Sequence, residues 1–249
     1  MLYAAMTFWL LVVIFCAWGT LKLYTGLVPP RVVNSILLPG TFVAQVGRVL
    51  GLLATGGTVN DTALIRDDGS GEPKTPPNPE TRIPILGPIV VALLPLIACA
   101  AAVFAVAWWQ GRDVLYAIAQ HPVTEQLPTS VAAGWQLLRD LLSHAELFLA
   151  EIARLDFAAW QTWLFLYLLI CFTVRMAPLE GNLRGAVGAT LLLGLLAAVV
   201  GKFLPAGHDL ILSGSPILSF AVAVLSVLLL ISLVVRGTVA LVKLLANGG

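Results

Sequence analysis

The stretch "PGTFVAQVGRVLGLLATGG", residues 39–57, reads as an apolar helix into which Gln45, Arg48 and the glycines at 40, 47 and 51 have been set. Gln45 lies three residues before Arg48 and Ala44 four before it, so the three share one helix face. An arginine at mid-membrane costs roughly 2.5 to 3.5 kcal/mol, and such residues usually face a bundle interior or a watery cavity where they find a partner. The plainer alternative is that Arg48, about a turn from the helix end, snorkels to the interface. Gln45 equally suits an interhelical hydrogen bond that only helps packing, and the three glycines suit a close helix–helix approach.

The rest of the chain says that lipid is the relevant solvent. Of 249 residues, 59% are hydrophobic and 11% charged, and the mean hydropathy is +0.95, well beyond the apolar content of soluble domains. An all-α integral membrane protein follows. About 20 apolar residues cross a bilayer core about 30 Å thick, and six segments reach or approach that length: 4–27, 32–55, 84–109, 157–177, 185–204 and 217–246. They form a single polytopic domain. The first has no lysine or arginine ahead of it and is too long for a signal-peptide core, so it is expected to be a retained span. The second is the least apolar, and the last is long enough to tilt.

Between the second and third spans, residues 56–83 are rich in Gly, Pro, Asp and Glu, which marks a flexible loop whose first part is able to form a short strand. Residues 130–154 repeat Val131, Trp135, Leu138, Leu142, Leu149 and Ile152 at helical spacing, with Arg139, Asp140, His144, Glu151 and Arg154 on the other side. That pattern predicts an amphipathic helix lying on the membrane or capping the bundle. Trp108, Trp109, Trp160 and Trp163, at the ends of spans, fit an aromatic belt.

Charge sets orientation. With the N-terminus inside, the inner segments hold Arg66, Lys74, Arg82, Arg175, Arg184, Arg236 and Lys243, against Arg31, Arg112, Arg139, Arg154 and Lys202 outside. The excess favours a cytoplasmic N-terminus, as in a bacterial inner membrane. A net charge of +1 with scattered cations gives no basis for a nucleic-acid partner. Cys16, Cys99 and Cys171 sit in apolar runs and read as small buried hydrophobes. His121, His144 and His208 lack ligand spacing, Asp209 falls in a loop, and no phosphate loop or Ser-His-Asp arrangement is present, so no cofactor is expected.

The positions 44, 45 and 48 carry one further reading. They stand where an H-E-x-x-H signature places two zinc-binding histidines and the glutamate that activates water. The surrounding "LLPGTFVAQVGRVLGLLATGGTV" resembles the active-site helix of site-2-protease-like membrane zinc metallopeptidases, in which a Pro-Gly-Thr-like start precedes that signature. Residues 175–186, "RMAPLEGNLRGA", resemble that family's second conserved region, where a proline is followed by an aspartate that supplies the third zinc ligand. Asn182 matches that aspartate best; setting Leu179 to Gly181 against the family's L-D-G would place Glu180 there instead.

In this chain the signature reads Ala44, Gln45, Val46, Gly47, Arg48. Alanine offers no ligand, glutamine is no general base, and a permanently charged arginine repels a dication. The resemblance therefore implies a pseudoprotease without catalytic residues or metal. It would bind transmembrane segments or other membrane proteins, with Arg48 in the volume of the lost metal, paired with Glu180 or hydrogen-bonded to Asn182. Glu180 equally suits an interfacial turn. Two rival functions remain: a small-solute transporter or channel with a polar path at Gln45, Arg48 and Glu180, and a structural subunit of a membrane complex.

Overall fold

In a computed structural model of the chain, the residues described are 2–57, 86–121, 127, 129–177, 187–188, 190–195, 198–199 and 215–247. They are helical, with no strand among them. The helices are α1 (Leu2–Leu27), α2 (Pro30–Ile36), α3 (Leu38–Ala54), α4 (Leu86–Gln110), α5 (Arg112–Ala119), α6 (Val131–Ile152), α7 (Trp160–Val174) and α8 (Ser215–Asn247). The described residues 187–188, 190–195 and 198–199 are helical as well. Most of the 56–83 segment, with its candidate strand, and half of the expected 185–204 span lie outside the described residues.

Among the described residues three helices are long and apolar enough to cross a membrane: Tyr3–Leu27, Gly87–Gln110 and Pro216–Val239. A fourth crossing exists if α2 and α3 are taken as one broken span. The expected continuous helix over 32–55 is thus corrected: the chain bends by 76° between Ile36 and Leu38. The cause is local. Pro39 has no N–H for the carbonyl of Ser35, and its ring crowds that carbonyl. Leu37 leaves helical geometry at φ −83° and ψ 12°, and the next helix starts from its carbonyl, which accepts from the Thr41 N–H at 2.9 Å.

The 157–177 segment is also shorter as a helix than its apolar run. Asp156 holds the preceding turn, its carboxylate accepting from the Ala158 N–H at 2.9 Å and its carbonyl from the Thr162 hydroxyl at 2.7 Å. The helix that follows has 15 residues, about 22 Å at 1.5 Å per residue, less than a bilayer core.

The bundle is organised around α8 and the α3–α4 pair. In α8 every residue from Ser219 to Leu228 is buried, whereas Leu230, Ile231, Leu233, Val234 and Val235 in its second half are exposed. At 33 residues it is about 50 Å long, more than the roughly 30 Å of a bilayer core. Helices α3 and α4 approach each other closely. Pro95 sits inside α4 and deprives the Val91 carbonyl of its helical partner. Gly47 and Gly51 of α3 lie against this same stretch: a Cβ on Gly47 would come within 2.7 Å of the Leu94 carbonyl oxygen and 2.9 Å of the Pro95 Cα, and one on Gly51 within 3.0 Å of the Val91 Cα. The glycines let two backbones approach, as small residues do between membrane helices.

Candidate functional site

Helix α3 has two unlike faces. Phe42, Val46, Leu50 and Leu53 are exposed, while Thr41, Ala44, Gln45, Arg48 and Leu52 are buried. The polar residues are therefore on the inner side and the large apolar ones on the outer side, the reverse of a water-soluble amphipathic helix. Gln45 is 6% exposed and Arg48 7%. Such burial does not fit an arginine snorkelling to the interface, the plainer of the two sequence readings.

The inner face begins where α3 meets the end of α7. A Cβ on Gly40 would strike the Cys171 carbonyl oxygen and approach the Arg175 Cγ at 2.8 Å. The Cys99 thiol of α4 lies between them, 3.6 Å from the Arg175 carbonyl oxygen and 4.0 Å from that of Gly40. The two stretches singled out in the sequence, 37–59 and 175–186, thus touch at Gly40 and Arg175. Glu180 and Asn182, as well as His208 and Asp209, lie outside the described residues.

No family model, no curated protein and no solved structure matches this chain.

One face of α7 holds the bend between α2 and α3, a feature that the sequence pattern does not announce. Tyr167, Cys171 and Arg175 recur every four residues along it. The Tyr167 hydroxyl donates to the Ile36 carbonyl at 2.8 Å, the Cys171 thiol points at the same oxygen at 3.4 Å, and Arg175 Nη2 donates to the Asn34 side-chain oxygen at 2.7 Å. Backbone exposed by a helix break inside a membrane protein has to be satisfied by neighbouring groups, and α7 supplies them. The i, i+4, i+8 spacing is visible in the sequence, but its target is not, because that target exists only once the helix breaks at Leu37.

Gln45 is different. Its Nε2 and Oε1 atoms are both buried, and neither has a hydrogen-bond partner among the described residues. A buried polar group left unmade costs about 1 to 3 kcal/mol, so this amide is a local energetic liability in the middle of a polar face. The donor set at 44, 45 and 48 does not fit zinc: a methyl group, a neutral amide and a buried guanidinium provide no imidazole, thiolate or carboxylate. These three side chains therefore support no metal-dependent step.

A second polar cluster lies where α5 meets α6. His144, buried on α6, has its Nδ1 2.8 Å from the Asp140 carbonyl oxygen and its Nε2 3.0 Å from that of His121. The ring ties α6 to the end of α5 beside a cavity of about 710 Å³. Two of the three histidines, far apart in sequence, are therefore neighbours, although through a ring and a backbone carbonyl. Among the described residues no group of three His, Cys, Asp or Glu side chains gathers in a way that could hold a metal ion.

Proposed function

We propose that this protein is a non-catalytic membrane protein of the site-2 metallopeptidase type, which binds transmembrane segments or partner proteins without cleaving them. The observation that carries the reading is the burial of Ala44, Gln45 and Arg48 on one inner face of α3, next to a contact between the two stretches that bear the resemblance. The chemical positions of the expected motif face inward, and they hold side chains that cannot perform its chemistry. In this reading six spans cross a bacterial inner membrane with the N-terminus in the cytoplasm. Arg48 takes the place of the metal's charge, paired with Glu180 or hydrogen-bonded to Asn182.

The test joins two measurements. The purified protein is expected to carry no stoichiometric zinc by elemental analysis. A photoreactive residue at position 45 is expected to crosslink other membrane proteins or a synthetic transmembrane peptide in reconstituted vesicles. Zinc at one equivalent, or cleavage of a membrane substrate that is lost on Gln45→Ala, overturns the proposal.

The 76° break between α2 and α3 favours a second reading, a small-solute transporter or channel. Discontinuous helices are the usual framework of solute sites near the bilayer midplane. Solute flux into sealed vesicles that is abolished by Gln45→Leu would select it over the first.

A further inference from the structure

Helix α6 has three faces where an amphipathic helix has two. At about 100° per residue, Leu137, Leu141, His144, Ala145, Phe148 and Ile152 fall on one broad face, and all but the partly exposed Leu137, Leu141 and Ile152 are fully buried. This face packs on the core, with Phe148 edge-on to Phe220 of α8 at 6.0 Å. A second face carries Gln136, Arg139, Ser143 and Glu146, polar and exposed. Between them lies a narrow stripe of Val131, Trp135, Leu138, Leu142 and Leu149, spread over about 60° of the helix. The stripe holds five of the six residues whose spacing predicts the helix, all but Ile152, and these five are exposed. Val131 is 93% exposed and Trp135 64%.

We infer that this stripe is seated in the acyl-chain region of one leaflet, so that α6 lies in the membrane interface while its other apolar face grips the bundle. Three observations select lipid as the occupant. The stripe belongs to a chain whose α1, α4 and α8 are long and apolar enough to span a bilayer. It belongs to a set of exposed aromatics at the connections around α5 and α6: Trp108 and Trp109 end α4, Tyr116 is on α5, Trp135 is on α6, and Phe157, Trp160 and Trp163 lie at the entry to α7. Tryptophan and tyrosine concentrate at the membrane–water boundary, where an apolar ring and a polar edge are both accommodated. Arg112 lies over the Trp108 ring at 4.5 Å, which places a cation beside that apolar collar, as at a headgroup level.

Charge refines the inference. The helix and its C-terminal turn hold Arg139 and Arg154 against Asp140, Glu146 and Glu151, and Arg154 is bound to Glu151. No cationic surplus attracts anionic headgroups, so apolar burial alone seats the helix. Its placement is independent of the pseudoprotease reading.

The experiment uses the full chain with Cys16, Cys99 and Cys171 replaced by alanine and single nitroxide labels along α6, reconstituted in vesicles of phosphatidylcholine, alone or mixed with phosphatidylglycerol. Collision with oxygen, which concentrates in acyl chains, is compared with collision with a water-soluble nickel chelate. Labels at 131, 138, 142 and 149 are expected to favour oxygen, labels at 136, 139, 143 and 150 to favour nickel, and labels at 141 and 148 to meet neither, with the same pattern in both vesicle types. High nickel accessibility along the stripe overturns the inference, because the stripe then faces water. Low accessibility to both reagents overturns it as well, because a partner protein or a second copy then covers it. A stripe that favours oxygen only with phosphatidylglycerol present refutes the purely apolar seating.

Discussion

Replacing Gln45 with methionine is expected to make this protein more stable. The side chains are alike in length and flexibility, so the substitution removes the amide while nearly preserving volume. Both amide atoms are buried without a hydrogen-bond partner among the described residues. Each unmade group costs about 1 to 3 kcal/mol in a water-soluble core, but polar contacts between membrane helices average nearer about 0.6 kcal/mol and reach about 2. Weighing the smaller membrane figure, Gln45→Met should gain about 1 to 3 kcal/mol. At roughly 2 to 4 °C per kcal/mol for a chain of this size, the shift is several degrees and measurable by thermal unfolding in detergent micelles, with denaturant unfolding in bicelles as a second readout. Gln45→Ala supplies the control: it deletes the same amide but leaves a cavity, so it should fall well below methionine. If Gln45→Met destabilises by about 1 kcal/mol or more, a loss typical of a hydrogen bond that was made, the Gln45 amide is satisfied and the reasoning fails. If it stabilises while crosslinking of membrane peptides drops, glutamine is being retained for binding at a cost to stability, as at many functional sites.

Other substitutions probe the frame around that face. Gly47→Ile should cost at least about 2 kcal/mol by forcing apart α3 and α4, since its Cβ meets backbone atoms of Leu94 and Pro95 that cannot rotate away; an unchanged melting temperature would mean the two helices are not in close contact. Tyr167→Phe removes one hydrogen bond to the Ile36 carbonyl, worth about 1 kcal/mol, and should speed hydrogen exchange in α2 more than in α4; equal effects in both would argue against a latch at the bend. Phe148→Ala should cost about 2 to 4 kcal/mol and loosen α6 from α8, raising exchange through 141–148, whereas an effect confined to α5 would contradict the packing of Phe148 on Phe220.

The sequence alone determined that the chain is helical and built for lipid, because composition and the length of apolar runs set the transfer free energy of each segment without reference to its neighbours. It also determined that α6 would form and that α3 would carry polarity on one face, since both depend on the 3.6-residue period alone. Where each face points is a different kind of fact. The apolar stripe of α6 suits a membrane surface or a cap on the bundle alike, and packing falls on the neighbouring face, because in a membrane protein an exposed apolar surface carries no penalty and periodicity cannot tell lipid from protein. The break at Leu37 is hidden for a similar reason: Pro39 falls about two turns into the expected 32–55 span, where a proline either kinks or ends a helix, and apolar run length does not distinguish the two. Only the tertiary structure turned Gln45 and Arg48 inward, set Gly40 against the end of α7, and gave Tyr167, Cys171 and Arg175 a broken helix to hold, because those arrangements arise from contacts between segments far apart along the chain.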